Sequence, residues 1–442
     1  MSNLNLRSFA SFISLMMGIL LTIPANLTAE DWSQWLGNNR DSNWTETGIV
    51  DSLPKQANVV WRSPIAGGYA GPAVVGNRVY VTDYVRKDGD NTPDPGKRSK
   101  LSGSERVLCL DAATGKQVWK HEYDCKYSIS YAFGPRATPT VEGGHVYALG
   151  AEGHLNCLNA DNGKLVWSKD LKKEYNLKES PIWGFAAHPL VKGDTLYCLV
   201  GGNGSVAVAF DKKTGEEKWR ALSAKDQGYC PPTMINAGGI DQLLIWHASS
   251  LNSLNPETGE VYWTFPMKPA YEMSIIAPIK HGDYLYTTAL QGESLLLKLD
   301  REKPAATEVW RGKGVHPDHN PPIIVDGHIY GVDVKGHLRC VNLETGDRIW
   351  ESLATTARGR PESSTTGFIV KNGDKYFLVN EVGELILAKM SPDGFEEIGR
   401  TKMLEPTSSS FGRQVVWSHP AFANKCVFAR NDKEIVCISL AK

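Results

Sequence analysis

The sequence has no excess of either charge. Its 442 residues include 48 lysines and arginines against 49 aspartates and glutamates, a formal net charge of −1. A protein that grips DNA or RNA usually carries a basic excess, because it must neutralise the phosphate backbone. We therefore expect no nucleic-acid partner.

Long apolar runs are also scarce. The one near the N-terminus, Phe9 to Ile23, holds 15 residues, whereas a transmembrane helix needs about 20. It follows Arg7 and is followed by the small residue Ala29, which is typical of a cleaved signal peptide. We predict a signal peptide over residues 1–29 and a periplasmic or secreted chain with no membrane span after cleavage. An uncleaved anchor is the alternative. No cysteine in this segment could carry a lipid.

Cysteine is infrequent, with eight in the chain, no two adjacent and none spaced as Cys-x-x-Cys. This spacing does not indicate a zinc site. Cys109, Cys157, Cys340 and Cys437 recur at one point of a repeat and are interpreted as small buried strand residues. Cys426 and Cys437 flank a predicted two-residue turn that would place them opposite each other. Whether a disulfide joins them is left open.

Motifs for phosphate, dinucleotide or calcium binding are missing. The glycine-rich stretch Gly201 to Gly204 lies between predicted strands, and a phosphate loop requires a following helix. A polar insertion, Arg86 to Glu105, contains Asp88, Asp90 and Asp94. These lack the glycine and terminal glutamate of a calcium loop. We interpret the aspartates as part of a solvated polar loop.

Glycine and tryptophan are abundant, at 42 and 13 residues, and they recur together. A strand ends in Asp or Asn, a turn contains Thr-Gly or Asn-Gly, and Trp follows four residues after the glycine. The copies end at Trp119, Trp167, Trp219, Trp263 and Trp350, with degraded copies at Trp310 and Ile398. Glycine suits the left-handed turn and Asp or Asn caps it. Each copy of this motif therefore forms a β-hairpin. A second pair of strands precedes it, and the four strands make one propeller blade.

The number of repeats predicts the number of blades in the ring. The final blade lacks an outer strand, while Asn58 to Arg62 is an outer strand with no blade before it. We predict an all-β, eight-bladed β-propeller of four-stranded antiparallel blades over residues 57–442. The N-terminal strand closes it and protects the sheet edges, and residues 30–56 form an N-terminal extension. A seven-bladed ring is the alternative.

The phrase Asp-x-x-Thr-Gly-x-x-x-Trp resembles the tryptophan-docking motif of the pyrroloquinoline-quinone-like (PQQ-like) repeat family. Asp31 to Asp41, Gly134 to Pro139 and Trp183 to Pro189 are similar to an exported branch of these propellers from planctomycete-type bacteria. The resemblance implies a fold shared with two kinds of protein. One is the propeller lipoprotein of the β-barrel assembly machinery, a scaffold whose lipidated cysteine is missing here. The other is the quinoprotein alcohol dehydrogenases, which bind PQQ with calcium.

The dehydrogenases' adjacent cysteine pair is absent, and no calcium ligands can be assigned in this chain. We therefore expect no cofactor, with PQQ and calcium as the alternative.

Propellers bind ligands and partners on loops that join one blade's outer strand to the next blade's inner strand. Those loops contain the candidate funnel residues Tyr69, Arg136, Trp183, His188, Tyr229, Tyr271, His319, Arg413, Trp417 and His419. The structural alternatives are aromatic rings that plug the channel, an Arg136 that bonds loop carbonyls, and histidines already hydrogen-bonded. His316, Asp318 and His319 have metal-like spacing, but we interpret them as a solvated loop and expect no metal.

From these features we expect a monomeric, exported, non-catalytic propeller that binds a protein or a cell-envelope polymer. The alternatives are a PQQ-dependent dehydrogenase and a hydrolase or lyase working in the funnel.

Overall fold

A computed structural model describes residues 30–292, 294–356 and 358–442. The predicted signal peptide lies outside these residues. Strand β1 (Val59–Pro64) comes first in the chain and belongs to the last blade.

The first four blades follow in chain order, each listed from its inner to its outer strand. Blade 1 contains β2 (Ala73–Val75), β3 (Arg78–Asp88), β4 (Ser99–Asp111) and β5 (Gln117–Ile129). Blade 2 contains β6 (Thr140–Glu142), β7 (His145–Leu149), β8 (His154–Asn159) and β9 (Leu165–Asp170). The short helix α1 (Leu171–Glu174) follows. Blade 3 contains β10 (Leu190–Lys192), β11 (Thr195–Leu199), β12 (Ala207–Asp211) and β13 (Glu217–Ala221). Blade 4 contains β14 (Thr233–Ala237), β15 (Ile240–His247), β16 (Ser250–Leu254) and β17 (Val261–Pro266).

The second half repeats the pattern. Blade 5 contains β18 (Ile279–His281), β19 (Tyr284–Thr288), β20 (Ser294–Leu299) and β21 (Ala306–Arg311). Blade 6 contains β22 (Ile323–Val325), β23 (His328–Val332), β24 (Leu338–Asn342) and β25 (Arg348–Ser352). Blade 7 contains β26 (Gly367–Asn372), β27 (Lys375–Asn380), β28 (Glu384–Ser391) and β29 (Gly394–Lys402). A small hairpin of β30 (Ser408–Ser410) and β31 (Arg413–Val415) leads to blade 8, which contains β32 (Ala421–Ala423), β33 (Cys426–Arg430), β34 (Glu434–Ser439) and β1. Short 3-10 turns lie at Ala270–Glu272 and Leu290–Gly292.

The ring closes as the sequence predicts. Strand β1 pairs antiparallel with β34, with Trp61 opposite Cys437 and Arg62 opposite Val436. The eight-bladed propeller is confirmed, and the seven-bladed alternative is wrong.

Tryptophan docking joins neighbouring blades. Nε1 of Trp61 donates to the carbonyl oxygen of Ala112 at 2.8 Å, and Nε1 of Trp119 donates to that of Ala160 at 2.9 Å. The indoles of Trp167, Trp219, Trp310 and Trp350 repeat this bond to the next blade's turn. A Cβ added at Gly163 would lie 2.5 Å from the Trp119 ring, and this glycine has a φ of +70°. This Asn-Gly turn thus needs glycine both for its backbone conformation and for the ring that covers it.

Trp263 departs from this pattern for a clear reason. The next blade's turn, Asp300 to Pro304, lacks the Thr-Gly pair. The Trp263 indole instead donates to Oε1 of Gln242 within its own blade, at 3.0 Å.

The Cys426–Cys437 pair differs from the prediction. Cys426 lies opposite Ser439, and Cys437 lies opposite Phe428, so the two cysteines are diagonal neighbours. The cause is a longer turn, in which Oδ1 of Asn431 accepts hydrogen bonds from the backbone N–H groups of both Lys433 and Glu434. All eight cysteines are free thiols in the structure.

The insertion in blade 1 is partly regular. Its ends lengthen β3 and β4, with Val85 opposite Ser104 and Arg86 opposite Gly103. Asp88, Asp90 and Asp94 are exposed, as the sequence predicts. The backbone oxygen of Asp94 nevertheless accepts a hydrogen bond from Ser130 Oγ, at 2.5 Å, and this tethers the tip of the hairpin.

The N-terminal extension crosses the central opening. Trp32 exchanges backbone hydrogen bonds with Val74 of blade 1, and Trp44 N–H donates to Lys371 of blade 7 at 2.8 Å. Between them, half-buried Arg40 donates to the carbonyl oxygens of Pro189 and Pro232, at the entrances of blades 3 and 4. One short segment therefore contacts inner strands or their entrances in four blades on different sides of the ring. None of the helices in the described residues is long and apolar enough to cross a membrane.

The docking contact predicts a specific glycine effect. Gly163→Ala should destabilise the fold by about 2–4 kcal/mol, because overpacking adds to the cost of a left-handed alanine. Gly144→Ala is the matched control, since Gly144 has a φ of +76° and its Cβ would meet nothing within 4 Å. The control should cost only the conformational part, about 1–2 kcal/mol. Urea unfolding midpoints measure both, and equal shifts would contradict the docking role.

Ring closure predicts the outcome of two truncations. The chain 57–442 keeps β1 and should fold with native strand content and a monomeric elution volume. The chain 65–442 leaves β34 as an open edge and should aggregate, because unpaired edges recruit other strands. Circular dichroism and gel filtration compare the two, and identical behaviour would contradict closure by β1.

Candidate functional site

A cavity of about 520 Å³ opens on the face of the ring where outer strands connect to the next inner strands. Its size is that of a small-molecule site. The lining includes nine of the ten residues that the sequence singles out, namely Tyr69, Arg136, Trp183, His188, Tyr229, Tyr271, His319, Trp417 and His419. We call this cavity the funnel.

Arg136 has a structural position within the funnel wall. Its guanidinium donates to the carbonyl oxygens of Gly134, Ser130 and Tyr131, with 2.7 Å to each of the last two. It also lies 5.4 Å from the centre of the Tyr69 ring, in cation–π range. Its donors are therefore largely used by the loop that contains it.

Arg413 is the one candidate outside the funnel lining. Its Nε and Nη2 donate to the two carboxylate oxygens of Glu381 at 2.9 and 2.8 Å, and Glu362 lies 3.4 Å away. Such a two-point pair neutralises the guanidinium. The prediction that it faces a ligand is not supported by this placement.

The funnel histidines are uncharged near neutral pH; His188 is buried, and His319 and His419 are half-buried. His188 and His419 face each other edge-on with ring centres 6.5 Å apart, and Nδ1 of His188 accepts the N–H of Thr138 at 2.8 Å. Burial lowers the pKa of His419 to about 3, with a smaller contribution from His319. Burial likewise lowers the pKa of His188 well below its usual value, and that of His319.

The extension supplies a residue that sequence reasoning missed. Trp35 lines the funnel, is 3% exposed, and stacks on His188 with ring centres 4.6 Å apart. It also meets the edge of His419 at 5.7 Å. In the sequence, Trp35 stands out only as part of the stretch from Asp31 to Asp41. Because that stretch is interpreted as a separate extension, nothing indicates that Trp35 would lie in the channel.

The position of Asp318 differs from what the sequence predicts. The sequence predicts a solvated loop here, but Asp318 is 7% exposed and lines the funnel. The loop is buried because it forms the entrance of blade 6, where Nδ2 of the adjacent Asn320 donates to the backbone oxygen of Val332 at 2.7 Å. The nearest ionisable nitrogen to the Asp318 carboxylate is Nδ1 of His319, at 4.0 Å.

Backbone strain collects around the funnel. Tyr131, Tyr271 and Phe411 all line it and have φ values of 48°, 58° and 45°. Non-glycine residues rarely adopt this conformation, and where they do the site is often functional. Tyr271 and Phe411 are also the most exposed large apolar residues of the described chain, at 64% and 56%.

One group of metal-capable side chains within the described residues lies outside the funnel lining. Ligand atoms of Glu105, Cys125 and His154 fall within 4.8 Å of one another. The Glu105 carboxylate, however, already accepts from the hydroxyls of Tyr123 and Tyr127 and from the backbone of Ala151. Burial, followed by the charge of Glu105, raises the pKa of the Cys125 thiol. A protonated thiol is a poor metal ligand, and we assign no metal here.

Comparison with known proteins assigns the chain to a family. A family profile described as "Outer membrane protein assembly factor BamB" matches residues 103–239 and 247–442. The chain belongs to this family. It is a PQQ-like propeller similar to the BamB of Burkholderia pseudomallei, with 24% identity over 78% of this chain and 71% of that protein. It is also similar to the BamB of Yersinia pestis, with 24% identity over 57% of this chain and 63% of that protein.

Solved structures show the same fold. BamB from Moraxella catarrhalis superimposes with a TM-score of 0.57 and 15% identity, over 85% of this chain and 96% of that one. A europium-containing methanol dehydrogenase superimposes with a TM-score of 0.61 and 13% identity, over 92% and 89%. Identities this low establish only the shared propeller.

The lowered pKa values of the funnel histidines predict that the propeller is less stable in acid. Below about pH 6.5 the histidine in the unfolded chain binds a proton that the poorly solvated His419 of the folded chain does not, so stability falls as pH falls. The free energy of unfolding should drop by about 1.4 kcal/mol per such histidine between about pH 7.5 and 5.5. In His419→Gln this drop should be about 1.4 kcal/mol smaller than in the wild type.

His145→Gln is the control for that experiment. His145 lies on blade 2 outside the funnel lining and bonds only the nearby Gly143 carbonyl oxygen. Its removal should leave the pH dependence unchanged. An unchanged slope in His419→Gln would contradict the neutral, buried histidine.

Proposed function

We propose that the chain is an exported, non-catalytic propeller scaffold of the cell envelope that holds a protein or polymer partner at its funnel. Its relatives are named for outer-membrane protein assembly, and this supports an envelope role. The predicted signal peptide supports export. The observation that carries the proposal is the funnel itself, where exposed Tyr271 and Phe411 stand at a cavity lined by aromatic rings. Exposed aromatic residues of this kind dominate binding energy at interfaces.

The dehydrogenase alternative is less well supported by the funnel's chemistry. PQQ is a tricarboxylate, so a site must offset about three negative charges by cations and hydrogen-bond donors. Arg136 is bonded to loop carbonyls, Arg413 is paired with Glu381, and the funnel histidines are neutral. Asp318 lines the funnel alone among the acidic residues in the described part of the chain. These residues do not fit the quinone with its calcium ion, and we propose that the protein uses neither.

The cofactor proposal has a direct test. Titrating the mature protein with PQQ and calcium should give no saturable heat tighter than about 100 μM. An alcohol-oxidation assay with an artificial electron acceptor should give no calcium-dependent turnover. Micromolar binding accompanied by turnover would replace the scaffold with the dehydrogenase.

The scaffold proposal is tested by site-specific cross-linking in intact cells of the native host. A photoreactive phenylalanine analogue at Tyr271 or Phe411 should give a discrete adduct, because both side chains stand at the funnel opening. The same analogue at Val261, an exposed residue on the outer strand of blade 4, is the matched control. No adduct at either funnel position, or equal labelling from Val261, would contradict partner binding at this face.

A further inference from the structure

Several buried polar atoms around the funnel make no hydrogen bond of normal geometry with the described residues. The indole Nε1 atoms of Trp35 and Trp417 are buried and make no hydrogen bond within the described residues. The hydroxyls of Tyr69 and Tyr229 and Nδ1 of His419 are buried without a hydrogen bond of normal geometry. An unsatisfied buried group costs about 1–3 kcal/mol. Water or a bound ligand in the cavity must supply these partners, and a ligand that replaces the water has to reproduce its hydrogen bonds.

Asp318 adds the opposite chemistry to the same cavity. The residue is 7% exposed, and no hydrogen bond to its carboxylate is found within the parts of the chain that the structure describes. A carboxylate only accepts hydrogen bonds, while an indole N–H only donates. The occupant must therefore both donate to Asp318 and accept from the indoles of Trp35 and Trp417.

This combination excludes simple ions as the best occupant. A cation would donate to Asp318 but could not accept from either indole. An anion would accept from the indoles but would repel the carboxylate. The nearby guanidinium groups do not change this balance, because Arg136 is held by loop carbonyls and Arg413 by Glu381. Hydroxyl groups meet both needs, because each donates one hydrogen bond and accepts two.

The apolar part of the wall specifies the rest of the occupant. The aromatic faces of Trp183, Tyr131 and Trp417 line the same space as the polar atoms. Aromatic faces carry partial negative charge and attract the slightly positive C–H groups of a saturated ring. A pyranose presents such C–H faces and bears hydroxyls around its edge. A peptide in extended form offers fewer polar groups per unit volume and needs an open groove, whereas Trp35 of the extension lines this cavity within the channel.

We propose that the funnel binds an uncharged saccharide, the end or a short stretch of an envelope glycan. This rests on the proposed scaffold function and names the class of its polymer. Asp318 accepts from adjacent sugar hydroxyls, the indoles of Trp35 and Trp417 donate to sugar oxygens, and the aromatic faces pack on the ring. No bond of the sugar is broken.

The test is calorimetric titration of the mature protein with trisaccharides in matched charge states. The probes are the trimer of N-acetylglucosamine, its deacetylated cationic form, galactotriose, and the anionic trimer of galacturonic acid. At least one uncharged trimer should bind with a Kd tighter than about 1 mM, and at least tenfold tighter than its charged counterpart. No saturable heat from either uncharged trimer, or preference for a charged one, would overturn the saccharide.

Substitutions at two funnel positions, with one control outside the funnel, assign the binding to the funnel. Asp318→Asn keeps the side-chain shape and should weaken binding of the preferred trimer at least tenfold, with an unchanged melting temperature. Asp88→Asn, at an exposed position in the blade 1 insertion, should bind as the wild type does. Trp417→Phe keeps the apolar face, removes the N–H donor, and should weaken binding less than Trp417→Ala. Equal binding by Asp318→Asn and the wild type would overturn the site.

The result separates this inference from the scaffold proposal. Persistent cross-links at Tyr271 and Phe411 without saccharide binding would overturn the saccharide and retain a protein partner. Release of shorter sugars during the titration, detected by chromatography, would overturn both, because the scaffold is proposed to be non-catalytic.

Discussion

The contact between each docking tryptophan and the next blade's glycine turn determines most of this structure. A single blade cannot bury its apolar faces by itself and depends on the neighbouring blades to cover them. Apart from that of Trp263, each of these indoles donates to a backbone carbonyl of the following turn, as Trp119 does to Ala160 while its ring covers Gly163. The contact therefore links the blades into a chain of neighbours, and the chain is stable only when its two ends meet. That is why β1, from the beginning of the propeller, has to complete a blade formed by the last residues.

Closure of the ring determines where chemistry can lie. All the connections from outer to inner strands reach one face, so Tyr69, Trp183 and Trp417, which are far apart in sequence, line one cavity. The N-terminal extension crosses the central opening of the ring, and its Trp35 stacks on His188. The interior of this wall is too poorly solvated to hold a charged imidazole, which is why the pKa of His419 lies far below its usual value. The funnel is thus rigid, aromatic and close to neutral.

The sequence predicts the repeated parts well, because each repeat carries its own local signal. The glycine turn, the capping Asp or Asn and the tryptophan together mark a blade, and their number predicts the ring. Most of the funnel residues are also predictable, since they follow from loop position once the blades are assigned. The environment of Asp318 is not, because a loop rich in proline, aspartate and histidine looks solvated until the ring buries it. The position of Trp35 is not predictable either, since it depends on contacts with inner strands hundreds of residues away.

The same reasoning explains how one fold serves a dehydrogenase and a scaffold. The docking contacts involve turns at the outer edge of the ring, and they place no demand on the loops that line the funnel. Those loops can exchange cations, acids and aromatic rings without weakening the propeller, so similarity in fold carries no information about the occupant. What decides the occupant is the balance of donors, acceptors and charge at the wall. Here Arg136 and Arg413 are bonded within the protein, so the polar groups left for a partner are one carboxylate, two indoles and neutral hydroxyl and imidazole groups. Such a wall favours a neutral partner rich in hydroxyl groups, and it would have to gain free cations before it could hold a tricarboxylate.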